Sequence, residues 1–115
     1  MTSDRDSQLL KGVLPMLVLA LLTDAESYGY ELVTRLQAAG LSEMGAGTVY
    51  PVLNRLERDG TITSRLVPSS SGPARKYYRP TTQGTTELAV AADAWRRLTA
   101  TVAEVLTHAD EKEQP

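Results

Sequence analysis

The apolar positions of the chain fall into a few periodic runs, each predicting an element. Leu9, Leu10, Val13, Leu14, Leu17, Val18, Leu21 and Leu22 form a double stripe at helical spacing, and Leu19 and Ala20 make that stretch apolar almost all round. A helix apolar on more than one side must be covered on more than one side, which in a 115-residue chain points to a partner subunit. Pro15 lacks an amide donor, so the regular part of this helix is expected to start just before it or to bend there, with Gly12 upstream favouring a break. Ser27 is a suitable N-cap for a second helix through Ala39, with Tyr28, Leu32, Val33 and Leu36 inward and Gly40 as its stop. Residues 41–45 form the turn that follows. Val49, Leu53 and Leu56, in steps of four and three, then mark one face of a third helix that Gly60 ends.

The period changes after Gly60. Residues 61–67 (TITSRLV) are rich in β-branched side chains and alternate, so they read as a strand. Residues 68–74 are a run of turn formers, and residues 75–79 return as a second strand. Thr81 or Thr82 caps a long last helix, in which Leu88, Ala91, Trp95, Leu98, Val102 and Val105 are spaced alternately three and four apart. A seam of that kind packs on another copy of the chain or on the first helix, unless it is covered within the protomer alone. The fold class is mostly α with a small β-hairpin: a winged helix-turn-helix followed by a long C-terminal dimerisation helix. The expected divisions are a flexible N-terminus at 1–8, the winged helix-turn-helix domain at 9–80, the dimerisation helix at 81–107 and a disordered tail at 108–115.

The outward face of the third helix carries the chemistry. Thr48, Tyr50, Pro51, Asn54, Arg55 and Arg58 offer hydroxyls, an amide and two guanidiniums that can donate to phosphates and base edges. An ordinary amphipathic surface helix is the plainer alternative. Arg75, Lys76 and Arg79 on the second strand suit the phosphate backbone, although a solvated hairpin could carry them too. The net charge of −2 opposes nucleic-acid binding until its distribution is considered. Residues 45–80 hold six Arg or Lys against two acids, a local surplus of +4, while the segments on either side each sum to −3. Screening over roughly 10 Å confines each charge to its own neighbourhood, so an acidic remainder leaves a basic face free to act.

Composition closes other routes. There is no cysteine, and His108 is the single histidine, which leaves no disulfide, no thiolate metal site and no histidine-based triad. No nucleophile, base and orienting group fall together and no glycine-rich phosphate loop occurs, so no enzyme, metal or cofactor is expected. The polar, acid-bearing N-terminus lacks the form of a signal peptide, and the apolar run at residues 13–22 is short for a membrane span. The chain therefore reads as soluble and cytoplasmic. A winged helix that binds protein would show an apolar or acidic outer face, whereas Asn54, Arg55 and Arg58 make this one polar and basic.

Several motifs together resemble the PadR family of bacterial transcriptional regulators. They are residues 17–22 (LVLALL), 27–32 (SYGYEL), 47–53 (GTVYPVL), 55–60 (RLERDG) and 75–81 (RKYYRPT), the last leading to Gly84. The resemblance runs from about Leu9 to Leu106, and the single helix after the wing is similar to the short subfamily. It implies a homodimeric repressor of double-stranded DNA whose last helix and first helix form the dimer, here through Leu14, Leu17, Val18, Leu88, Ala91, Trp95, Leu98, Val102 and Val105. It further implies DNA-facing roles for Thr48, Tyr50, Pro51 and Asn54 and a wing contact for Lys76. Trp95, with Leu98 beside it, matches the position of an effector pocket that takes a small aromatic ligand, although a tryptophan in a seam can equally be a packing residue. Pro80 stands where the family usually has leucine, and Gly45 replaces a better helix cap.

Overall fold

The computed structural model describes residues 4–113. In chain order the elements are helix α1 (Asp4–Asp24), strand β1 (Ser27–Tyr28), helices α2 (Gly29–Ala38) and α3 (Ala46–Arg58), strands β2 (Ile62–Ser69) and β3 (Gly72–Pro80), and helix α4 (Thr82–Glu113). The strands make an antiparallel sheet in the order β1-β3-β2, with α4 extending away as a rod, so that the long dimension of the chain reaches 66 Å.

Helix α1 is continuous through Pro15 and does not start there. The carbonyl that Pro15 leaves without a donor belongs to Lys11, on an exposed turn where water can serve it, so the helix tolerates the missing bond. It also begins at Asp4, so residues 4–8, expected to be flexible, are helical, while residues 1–3 lie outside the described part. The uninterrupted stretch Ser7–Asp24 has the length and apolarity of a membrane span, with a mean hydropathy of 1.4. Four of its apolar side chains are buried: Leu14, Val18, Leu19 and Leu22 meet Leu32, Val33 and Leu36 of α2, Val49, Leu53 and Leu56 of α3, Ile62, Tyr78 and Met44 in one core. Each such aliphatic side chain contributes about 1.5–3 kcal/mol on full burial.

This packing corrects the expectation that Leu14 and Val18 face a partner. They are 3% and 0% exposed, because α2, α3, β3 and the start of α4 all pack against α1 and cover more than one of its sides within the protomer. Leu17 and Leu88 are partly buried against the same core.

Ser27 does not cap α2. It lies in β1, opposite Tyr78, and its buried hydroxyl accepts a 2.6 Å hydrogen bond from Arg35. Tyr28 takes the N-cap position, with no side-chain cap. The same guanidinium donates to the carbonyls of Leu21 at 2.7 Å and Ala25 at 2.8 Å, satisfying the end of α1 and tying α2 to it.

The predicted stops hold. Gly40 (φ 120°) and Gly60 (φ 82°) adopt the left-handed conformation, and each leads a six-to-one hydrogen bond closing its helix, Leu41 N–H to Leu36 O and Thr61 N–H to Leu56 O. The hairpin is longer than predicted. Only Ser70 and Ser71 separate the strands, since Ser69 pairs with Gly72. Pro68 sits at the irregularity between Val67 and Ser69, where a residue without a donor is tolerated. Thr81 caps α4, its hydroxyl accepting from Gly84 N–H at 3.1 Å. The helix continues to Glu113, so the tail expected from His108 is helical that far, and residues 114–115 lie outside the described part.

Candidate nucleic-acid interface

Helix α3 buries Val49, Leu53 and Leu56 and exposes Thr48, Tyr50, Pro51, Asn54, Arg55 and Arg58. The six residues predicted to face DNA on this helix therefore all lie on its outer side. The face is basic toward the C-terminal end, where Arg55 and Arg58 fall in the last turn.

Tyr50 has a second contact. A Cβ on Gly29 would fall 2.5–2.7 Å from its ring carbons and hydroxyl, so the ring rests directly on the backbone at the start of α2. Only glycine admits that approach. The two helices of the helix-turn-helix thus hold the aromatic side chain at the rim of the outer face.

The wing has two distinct sides. Ile62, Ser64 and Leu66 of β2 stand with Lys76 and Tyr78 of β3 on the side of the helices; Thr63, Arg65 and Val67 stand with Arg75, Tyr77 and Arg79 on the other. The three cations of the second strand therefore divide, with Arg75 and Arg79 on one side and Lys76 on the other. On the outer side Arg75 stacks 4.5 Å over the Tyr28 ring, Tyr28 meets Tyr77 edge-on at 5.3 Å, and Arg65 pairs with Glu26. The Arg65 guanidinium holds the Glu26 carboxyl below its ordinary range.

On the inner side Lys76 donates to Glu57 Oε1 at 2.7 Å, and Ser64 Oγ donates to Glu57 Oε2 at 2.5 Å. The Lys76 ammonium, then the Ser64 hydroxyl, hold the Glu57 carboxyl below its usual value, and Glu57 raises Lys76 in return. Burial pushes the Tyr78 phenol up. Neither Glu57 nor Arg65 stands out in the sequence. Glu57 is an acid amid a basic helix, and that mismatch of charge is the available signal.

The seam of α4 is open. Beyond the half-buried Leu88 and Ala91, Trp95 is 46% exposed, Leu98 57%, Val102 45% and Val105 61%, with nothing among the described residues of the protomer to cover them.

A basic, solvent-facing third helix set against a β-hairpin defines a winged-helix DNA-binding protein. The profile of the transcriptional regulator PadR-like family matches residues 18–90, and the chain belongs to that family. Its role is thus regulatory and DNA-binding, not enzymatic. Solved structures agree. A PadR-like transcriptional regulator from Bacillus cereus superposes with a TM-score of 0.79 at 38% identity, covering 86% of this chain and 96% of that one. A PadR family regulator from Eggerthella lenta gives 0.79 at 37% identity, covering 86% of each, and a Streptococcus transcriptional regulator gives 0.78 at 40% identity, covering 85% and 96%. An uncharacterised protein of Lysinibacillus sphaericus is 30% identical over 91 residues, 77% of this chain and 84% of its own length.

Proposed function

We propose that the chain is a homodimeric repressor that acts in the cytoplasm on a pseudo-palindromic operator. Helix α3 enters the major groove, with Asn54 as the base reader and Arg55 and Arg58 gripping phosphates, while Arg75 and Lys76 of the wing take the flanking backbone. The observation that carries this reading is the coincidence of two open surfaces: the polar and basic outer face of α3, and the apolar seam of α4. The first suits DNA, and the second suits a second copy of the chain. A two-fold dimer carries two α3 helices, which matches half-sites about one helical turn, roughly 34–36 Å, apart. The exposed Trp95 and Leu98 near the middle of the seam support a site where a flat aromatic effector lies between subunits and releases the operator.

Footprinting on the promoter of the protein's own gene, followed by fluorescence anisotropy on the protected duplex, tests the reading. Two protected half-sites one turn apart are expected. Arg75→Ala and Lys76→Ala should each lower affinity for operator and random DNA alike and flatten the plot of log K against log salt by about 0.9 for every phosphate no longer gripped. A protein that protects no sequence and shows no dependence on salt would instead be a protein-binding winged helix.

A further inference from the structure

We propose that Glu57 is the positioning residue of the DNA-reading surface: its carboxylate clamps both strands of the wing to α3 and holds the Lys76 ammonium where a phosphate can reach it. This rests on the reading that α3 and the wing contact DNA together.

The geometry has three parts. First, the base of the hairpin is fixed separately. Thr61 Oγ1 donates to Leu56 O at 3.1 Å, Thr81 N–H to Thr61 O at 3.0 Å and Thr81 Oγ1 to Gly60 O at 2.6 Å. Second, farther out along the hairpin, each oxygen of Glu57 takes a different strand, Ser64 from β2 and Lys76 from β3. One carboxylate therefore sets the angle of the whole wing, and not of a single side chain. Third, Lys76 has three donors, spends one on Glu57, and is 46% exposed, so it can reach a phosphate without letting go. Its ammonium stands 5.4 Å from the centre of the Tyr78 ring, which further restricts its position.

Electrostatics alone assigns Glu57 the opposite effect. An acid among the cations of residues 45–80 repels the DNA backbone, so removing its charge should tighten binding. A positioning role reverses the sign, because a wing and a lysine that must be ordered on binding cost affinity.

The test is Glu57→Gln in the full-length protein, titrated against the footprinted operator. Operator affinity is expected to fall by about tenfold, although a negative charge has been removed. In a Lys76→Met background the same change should cost less, about as much as Ser64→Ala alone, since only the Ser64 half of the clamp is left to lose. Without DNA, Glu57→Gln should speed amide hydrogen exchange in residues 64–77 and leave α1 and α2 unchanged. Ser64→Ala, which keeps every charge, serves if Glu57→Gln fails to fold, and should give a smaller loss of the same kind. Operator binding by Glu57→Gln as tight as or tighter than wild type, or an equal loss in both backgrounds, overturns the clamp. A wild type that binds no DNA overturns the functional reading and the positioning role with it, whatever the exchange rates show.

Discussion

At the scale of single residues, the outer face of α3 separates into side chains that face solvent alone and side chains that also pack. Asn54 is exposed and has Val49, Leu53 and Leu56 behind it, so its truncation leaves the core alone. Asn54→Ala should cost about 1–3 kcal/mol of discrimination at one base pair while circular dichroism and the melting temperature stay unchanged. Unaltered preference across a panel of single-base operator variants would exclude it as a base reader. Tyr50 behaves otherwise, because its ring sits where a Gly29 side chain would go. Gly29→Ala should therefore destabilise by about 1–3 kcal/mol through overpacking and weaken operator binding as the ring is displaced. Adding Tyr50→Ala should recover much of the stability but not the binding, a coupling that thermal melts of the two single variants and the double variant would measure. The positions of Asn54 and Arg55 are legible in the sequence because a helical period assigns faces directly. The Tyr50–Gly29 contact is not, since it joins residues 21 apart through a tertiary approach that no local pattern encodes.

At the scale of elements, periodicity predicts α3 and the presence and order of the hairpin and α4, though both run longer than predicted, and fails where an element's neighbours decide its form. The apolar surround of α1 points to a partner when taken alone, yet four other elements within the protomer supply much of the cover. The cations of β3 are read together as suited to phosphates, yet strand alternation sends Lys76 inward to Glu57 and Arg75 outward to Tyr28. Ser27 has the chemistry of a cap but is claimed by Arg35 and by pairing with Tyr78. For α4 the seam is the testable quantity. Leu98→Asp or Val102→Asp would set a carboxylate in an apolar interface with no cation to receive it, a cost of several kcal/mol. Sedimentation should show wild-type dimers at micromolar concentration and monomers for either variant, with the helical signal of the domain retained. Dimers in both variants would mean that the seam is not the interface.

At the scale of the whole molecule, Trp95 stands about midway between the DNA-reading end and the far tip of α4, and it is the single indole in the chain. A planar cationic or aromatic compound stacking there should quench intrinsic fluorescence and, if it favours a dimer with a different helix spacing, lower operator affinity by about 5- to 150-fold. Titrating a compound panel against free protein and against the DNA complex checks both effects. Quenching without a change in operator affinity would leave ligand binding uncoupled from repression. The route for such coupling is built into one joint. Asp59 O accepts from Gln83, Gly60 O and Thr61 O accept from Thr81, and these three residues are the whole connection between α3 and β2. The first turn of α4 is thus tied to the point where α3 and the wing meet, which would let α4 act on them as a lever. With 32 residues it is about 48 Å long, so a tilt of about 5° moves its far end by about 4 Å. If two copies cross along α4 as proposed above, a ligand that shifts the crossing by a few ångströms should, run in reverse, rotate both α3 helices and put them out of step with the turn of the double helix.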